Sequence, residues 1–244
     1  MQIKILTNNI WRYYEWDKRK EKTIEFLKDQ APDVILFQET AEDERLKDKY
    51  KNQANEINKD LSYPYEDFGR LVKMEKWHDK PIDWEMYYGF GILSKFPIKK
   101  SEVIVLPHVE KKKNFGFMHS TIKTPKGDID LINVHLENTN QGSKENLKKI
   151  LEWCKKNKIK AIIAGDFNMK VVEDLMILAE KEYQISYLIK PYKSFMPTDF
   201  SHDKIPITLD YIISDKEKFE ILDVECIQND VSDHNPVIAN IKIL

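Results

Sequence analysis

Two runs of the chain, Val34-Ile35-Leu36-Phe37 and Ala161-Ile162-Ile163-Ala164, are apolar at every position. Side chains alternate between the two faces of a strand, so a strand without a polar position is covered on both faces. A sheet with one face in water cannot house these runs. The chain must build at least one sheet with a layer on either side, and it carries segments suited to supply the cover. Ile24 and Leu27 share a helical face within residues 18–29, which stop short of Pro32. Leu46, Tyr50, Ala54 and Ile57 mark a second helix. A third carries Leu147, Ile150, Leu151 and Cys154 and has Ser143 as its N-cap, and Val172, Leu175, Met176 and Ala179 mark a fourth.

Further strands are expected around Ile3 and Ile5 and over residues 91–94, 103–106, 129–134, 209–213, 219–227 and 237–243. The aromatic stretch 62–88 shows no period and reads as irregular. No repeat, low-complexity tract or linker interrupts the 244 residues, so one domain over 1–244 is expected, in the α/β (α+β) class, with packed sheets flanked by helices.

The net charge of -2 gives no global basic field to hold a polyanion, so any phosphate-bearing partner must be received locally. Cys154 and Cys226 stand alone, without thiolate-site or disulfide spacing. No stretch approaches the roughly 20 apolar residues of a membrane span, and the first eleven residues lack a signal-peptide core. A cytoplasmic monomer without a transmembrane segment is the expectation.

Chemistry gathers where the apolar strands end. Asn8-Asn9, Gln38-Glu39, Asn133-Val134-His135, Asp166-Phe167-Asn168 and Ser232-Asp233-His234-Asn235 each close an apolar run. Asp210 sits inside the apolar run Leu209-Asp210-Tyr211, where an unpaired carboxylate is costly, so a cation or donor should meet it, an imidazole being a natural candidate. The pairs Asn133/His135 and Asp166/Asn168 each project to one side of an extended backbone and could face one ligand. Gly165 lets the chain turn as it leaves the sheet. Taken singly, each motif also has a structural reading: a hydrogen-bonded histidine, a helix cap, a turn into the last strand.

Together, TNNIW, DVILFQE, GFGILSKFPI, NVHL, GDFN, LDYI and SDHNPV resemble, in their order, the endonuclease/exonuclease/phosphatase (DNase I-like) superfamily, and they extend from Thr7 to Pro236. The resemblance implies a four-layer α/β/β/α sandwich of two mostly antiparallel mixed sheets flanked by helices. It also implies divalent-metal-dependent hydrolysis of phosphate esters. Glu39 would be the principal ligand of Mg²⁺ or Mn²⁺, with Asn9 beside it, Asn8 the alternative, and Asp233 a contact to that metal or to a second one. Asp166 and Asn168 would orient the attacking water and hold a non-bridging oxygen, His135 would donate to the developing charge, and His234 would be the acid/base held by Asp210.

A phosphodiesterase acting on nucleic acid is the expected activity. The alternatives are a phosphodiesterase or phosphatase on a lipid headgroup (sphingomyelinase-like) or a small phosphorylated molecule, and a binding module without turnover. The chain departs from many members in lacking an arginine in NFGFMHSTI, and from apurinic endonucleases in lacking their longer opening signature. His78, His108, His119 and His202 are read as surface or packing residues. Lys111-Lys112-Lys113 reads as a solvated loop, with contact to a phosphate backbone as the lesser alternative, and Trp77, Trp84, Tyr87 and Tyr88 as packing or a lid, or else as a surface that stacks on a base or borders a lipid headgroup.

Overall fold

A computed structural model describes residues 1–198 and 204–244; His202 lies outside them. In chain order the elements are β1 (Gln2–Asn9), α1 (Trp16–Gln30), β2 (Val34–Asp43), a 3₁₀ turn (Glu44–Leu46), α2 (Gln53–Leu61), β3 (Tyr65–Lys73), β4 (Lys76–Trp77), β5 (Lys80–Pro81), β6 (Met86–Ser94), β7 (Ile98–Val105), β8 (Gly116–Thr124) and β9 (Gly127–His135). They continue with α3 (Asn140–Asn157), β10 (Ala161–Asp166), α4 (Val172–Ala179), β11 (Tyr183–Ile185), α5 (Ser186–Ile189), β12 (Asp210–Asp215), β13 (Phe219–Cys226) and β14 (Val237–Ile243).

Two six-stranded sheets form, in the orders β13-β14-β1-β2-β6-β3 and β11-β12-β10-β9-β8-β7, and β4-β5 is a separate hairpin. Each large sheet contains one parallel pair, β1 with β2 and β9 with β10, and is otherwise antiparallel. The alternation of side chains explains the layers. Ile3, Ile5, Val34 and Leu36 of the first sheet meet Leu131, Ile162, Ala164 and Ile212 of the second in one core between the sheets. Leu6, Ile35 and Phe37 point the other way, against Trp16, Leu27, Ala54 and Ile57 of α1 and α2. Ile132, Ala161 and Ile163 turn outward beneath Leu147, Ile150 and Cys154 of α3 and Leu175 of α4. The fully apolar runs are thus the middle strands of a four-layer α/β/β/α sandwich, and a register slip of one residue would exchange their two cores.

Several local expectations are corrected. The second helix begins at Gln53, where the Asn52 side chain accepts from Asn55 N–H (2.9 Å), so Leu46 and Tyr50 precede it. The α3 N-cap is Thr139, whose hydroxyl accepts from Gly142 N–H (3.1 Å); Ser143 lies inside the helix and donates to Thr139 O. Residues 62–88 are largely strand. β3 is the outer strand of its sheet, with most positions exposed or half-buried, and an edge strand in water has no apolar alternation to reveal it. Gly165 lies within β10 at φ 142°, where a Cβ would meet Val134 O at 2.2 Å, so its small size serves close approach of two strands.

Candidate active site

The face that each central strand turns toward the other sheet is apolar for two positions and then becomes polar at one end. In β1 it runs Ile3, Ile5, Thr7, Asn9; in β9, Ile129, Leu131, Asn133, His135; in β10, Ile162, Ala164, Asp166. Parallel pairing brings the ends of β1 and β2 together and those of β9 and β10 together, with Asp166 opposite His135. β12 is antiparallel to β10 and starts with Asp210 opposite Asp166, while β14 is antiparallel to β1, so the segment Asp233–Asn235 before it arrives at the same end. Here the apolar core between the sheets gives way to a polar cavity of ≈ 570 Å³ lined by Asn9, Glu39, His135, Asp166, Asn168, Asp233 and His234.

Just below it the sheets are joined by amides. Gln38 Nε2 donates to Thr7 Oγ1 (2.9 Å) and Asn133 Oδ1 (2.6 Å), and Asn133 Nδ2 donates to Phe37 O (2.9 Å) and Gly91 O (3.3 Å). Asn133 shares the face of His135, as its spacing implied, but it is fully buried in this bridge and does not line the cavity.

Asp210 is fully buried behind His234 and accepts from its Nδ1 at 2.7 Å, the donor its apolar surroundings demanded. The other imidazole nitrogen, Nε2, faces Asp166 Oδ2 at 3.9 Å. Burial disfavours the His234 imidazolium, but Asp210, Asp166 and Asp233 more than offset it and hold the group well above an ordinary histidine. Asp166 is pushed up by burial, with Asp210 adding to the shift and His234 and Asn9 opposing it. Its Oδ1 accepts from Asn168 N–H (2.9 Å) and its Oδ2 from Asn9 Nδ2 (3.1 Å). Asn8 points away from this group and donates to His234 O (3.0 Å).

Glu39 occupies an irregularity of β2 between Phe37 and Thr40 and adopts φ 51°, an uncommon backbone state for a side-chain-bearing residue that re-aims the carboxylate into the cavity. Burial raises its pKa, yet Arg12, His135, Lys113 and His234 together bring it down to about 2. Arg12 Nε lies 2.7 Å from Glu39 Oε2, and His135 Nε2 lies 3.9 Å from Glu39 Oε1 and 3.8 Å from Asp166 Oδ2. Burial lowers the His135 imidazole to about 3, only partly opposed by Glu39, so it stands neutral between the two carboxylates.

Glu39, Asp233 and Asn9, whose Oδ1 accepts from Trp11 N–H (3.1 Å), line one cavity, and their carboxylate and amide oxygens are hard donors of the kind that suits Mg²⁺ or Mn²⁺. Asp166, Asp210 and His234 also bring one ligand atom each within 4.8 Å of one another. In that trio, however, His234 Nδ1 is already engaged by Asp210, so it reads better as an oriented acid/base pair than as a cation site.

A model of the Endonuclease/Exonuclease/phosphatase family matches residues 7–234. The chain belongs to that family. As a member of the endonuclease/exonuclease/phosphatase family it is a phosphoester hydrolase. The fold is that of the endonuclease/exonuclease/phosphatase from Beutenbergia cavernae, with a TM-score of 0.80 at 18% identity over 99% of this chain and 72% of that one. Sphingomyelinase C from Streptomyces griseocarneus aligns with a TM-score of 0.74 and 18% identity over 98% and 99% of the two chains. A mannosyl-6-phosphatase from Bacteroides thetaiotaomicron aligns at 0.73 and 15% over 99% and 100%. No curated protein matches the chain.

Around this cavity stand residues that the motifs did not indicate. Arg12 follows TNNIW directly, and Lys111 and Lys113, expected in a solvated loop, line the cavity rim. Arg19, only 6% exposed, donates to the carbonyls of Ile10 (3.1 Å), Arg12 (3.2 Å) and Val231 (2.6 Å) and so fixes the segment that carries Arg12. Its helical position gave no hint of this. The remaining described histidines are outside the site: His78 packs on Tyr14, His108 bonds Asn114 (3.1 Å), and His119 bonds Asp130 (2.8 Å). Tyr88 is a buried packing residue, and Trp84 and Tyr87 lie under Arg45 and Arg70.

Proposed function

We propose that the protein is a Mg²⁺- or Mn²⁺-dependent phosphodiesterase whose preferred substrate is nucleic acid. The observation that carries the catalytic reading is the buried Asp210–His234 pair, with His234 Nε2 turned to Asp166 across a cavity that also holds Glu39. Glu39, Asn9 and Asp233 would hold the cation, which when bound neutralises charge on the phosphoryl oxygens. His234, held as imidazolium by Asp210, donates its Nε2 proton to the leaving alkoxide as the phosphorus–oxygen bond breaks. Asp166, raised by burial and held by Asn9 and Asn168, accepts a proton from the attacking water as the new phosphorus–oxygen bond forms. Neutral His135 directs an N–H toward the equatorial oxygens. Asn168, tied to Leu136 O (2.8 Å), keeps the water site in place.

The nucleic-acid preference is supported by Lys111, Lys113 and Lys170 at the cavity, which together with Arg12 outnumber the lining carboxylates Glu39, Asp166 and Asp233 on a chain whose net charge is -2. The competing substrates are a lipid headgroup or a small phosphate ester, the kinds of molecule for which the sphingomyelinase C and the mannosyl-6-phosphatase among the structural relatives are named. Single-stranded DNA and RNA, phosphatidylcholine or sphingomyelin vesicles, and a sugar phosphate, each assayed at two salt concentrations, decide between them. A nucleic-acid enzyme loses kcat/KM steeply with salt, as several phosphate contacts are screened at once. Turnover confined to the lipid or the sugar phosphate, with little salt effect, would replace the nucleic-acid reading.

A further inference from the structure

Strand β8 carries no arginine. No side chain can stand at Gly116, the first residue of β8, because a Cβ there would meet Ile104 O at 2.3 Å. The loop before it, residues 106–115, instead brings Lys113 to the cavity. The Lys113 ammonium lies 5.0 Å from the centre of the Tyr88 ring and 5.6 Å from that of Phe115, and Arg12 lies 5.2 Å from the same Tyr88 ring. Two cations thus converge on one buried aromatic beside Glu39. Arg12 is paired with that carboxylate, whereas Lys113 forms no ion pair with any described residue.

The loop is held by a group of its own. Glu137, two residues beyond His135 and fully buried, accepts from three successive backbone amides, Val109 (3.2 Å), Glu110 (2.8 Å) and Lys111 (2.7 Å). Its own N–H donates to Asn146 Oδ1 (3.0 Å), and a Cβ at Gly142 would come within 2.5 Å of its carboxyl carbon, so the first turn of α3 is shaped around it. Charge-assisted bonds of this kind are the strong ones, and three in a row fix the backbone from which Lys113 departs. His108 Nε2 bonding Asn114 Oδ1 (3.1 Å), and Asn114 Nδ2 donating to Leu71 O (3.2 Å), close the other end.

We propose that Lys113 binds the substrate's phosphate in this enzyme, alongside His135, and that Glu137 is a positioning residue that holds the loop 106–115 so that Lys113 meets the phosphate opposite Arg12. The inference rests on the phosphoester-hydrolase reading of the same cavity. A lysine on a loop is a point charge, without the fixed fork of an arginine on a strand, so it holds the phosphate while leaving the ester's orientation to Arg12 and the metal ligands.

The test uses the full chain with saturating Mn²⁺, bis(p-nitrophenyl) phosphate as substrate and inorganic phosphate as competitive inhibitor. Lys113→Met raises KM and the phosphate inhibition constant together, about tenfold each, the size of one lost charged hydrogen bond, with a much smaller effect on kcat. Lys113→Arg recovers most of both. Glu137→Gln moves both constants in the same direction, and adding it to Lys113→Met causes no further rise, as expected for a residue acting through Lys113. Additive effects in the double variant would overturn the positioning role, and unchanged constants in Lys113→Met would overturn the phosphate role. If Glu137→Gln fails to fold, the two Lys113 variants alone decide the phosphate role, and Glu137→Asp replaces it in the double variant. A wild-type protein that hydrolyses no ester with any cation would instead defeat the underlying reading.

Discussion

Replacing Asp210 by Asn isolates the part of the site that the geometry defines best. The carboxylate is fully buried, does not line the cavity, and acts on the reaction through the 2.7 Å bond to His234 Nδ1 and through its charge, which helps raise Asp166. An amide of the same shape removes the negative charge and offers the imidazole either an oxygen acceptor or a competing N–H donor. A buried hydrogen bond to a charged group contributes roughly 1.5–3 kcal/mol, and a wrongly oriented or deprotonated imidazole forfeits acid catalysis worth about 10²–10⁴ in rate. The expected result is therefore a kcat lower by about two to four orders of magnitude, some 3–5 kcal/mol in the barrier. KM should change less than about threefold, because no substrate contact is removed. The pH profile carries the sign. Asp210 is the main group raising His234, so without it the imidazolium loses its proton at lower pH, and the alkaline limb of kcat shifts toward acid. Stopped-time assays of a chromogenic phosphodiester from pH 5 to 9, with melting curves to verify folding, measure all three. A kcat within about threefold of wild type, with an unmoved alkaline limb, would refute the reasoning.

Asn133→Ala removes the bonds that tie Gln38, Phe37 and Gly91 across the two sheets; a loss of roughly 2–3 kcal/mol and a melting temperature lower by about 5–10 °C are expected, and an unchanged melting curve would contradict the bridge. Glu39, brought down to about 2 despite its burial, contributes stability that is fully present above the ordinary carboxylate range and is lost as pH falls toward its folded value. Urea unfolding between pH 6 and 3 should show a decline in wild type of which Glu39→Gln lacks a part, roughly 3 kcal/mol at most when the full shift is traversed; parallel declines would show that Glu39 is not held ionised.

The central strands were legible because Val34–Phe37 and Ala161–Ala164 leave only one kind of environment open to them, and because Ile5-Leu6-Thr7-Asn8-Asn9 and its counterparts change character at one end. The edge strand β3 was not. Its residues meet water along most of its length, and the pairing that makes it a strand is supplied by β6, distant in sequence. The same distinction holds in the site. Asp210 announced a partner because an unpaired carboxylate in an apolar strand is costly, and the structure supplies His234. Arg12, Lys113 and Glu137 gave no such signal, since each is a charged residue in a loop or at a strand end, where charge is ordinary. Their places depend on left-handed turns at Trp11 and Arg12 and on backbone amides gathered by one carboxylate. The i, i+2 spacing of Asn133 and His135 fixes their shared face, but depth along that face decides which residue meets the cavity and which is enclosed between sheets.

The most direct measurement is hydrolysis of bis(p-nitrophenyl) phosphate as Mg²⁺ or Mn²⁺ is titrated into chelator-treated protein, run in parallel on wild type, Glu39→Gln and His234→Ala. Activity that appears with the cation, saturates, needs much more metal in Glu39→Gln, and falls by about 10²–10⁴ at saturation in His234→Ala is the predicted outcome. Hydrolysis that survives chelation, or that both variants retain at wild-type levels, would contradict a single cavity in which Glu39 receives the cation and His234 moves the proton.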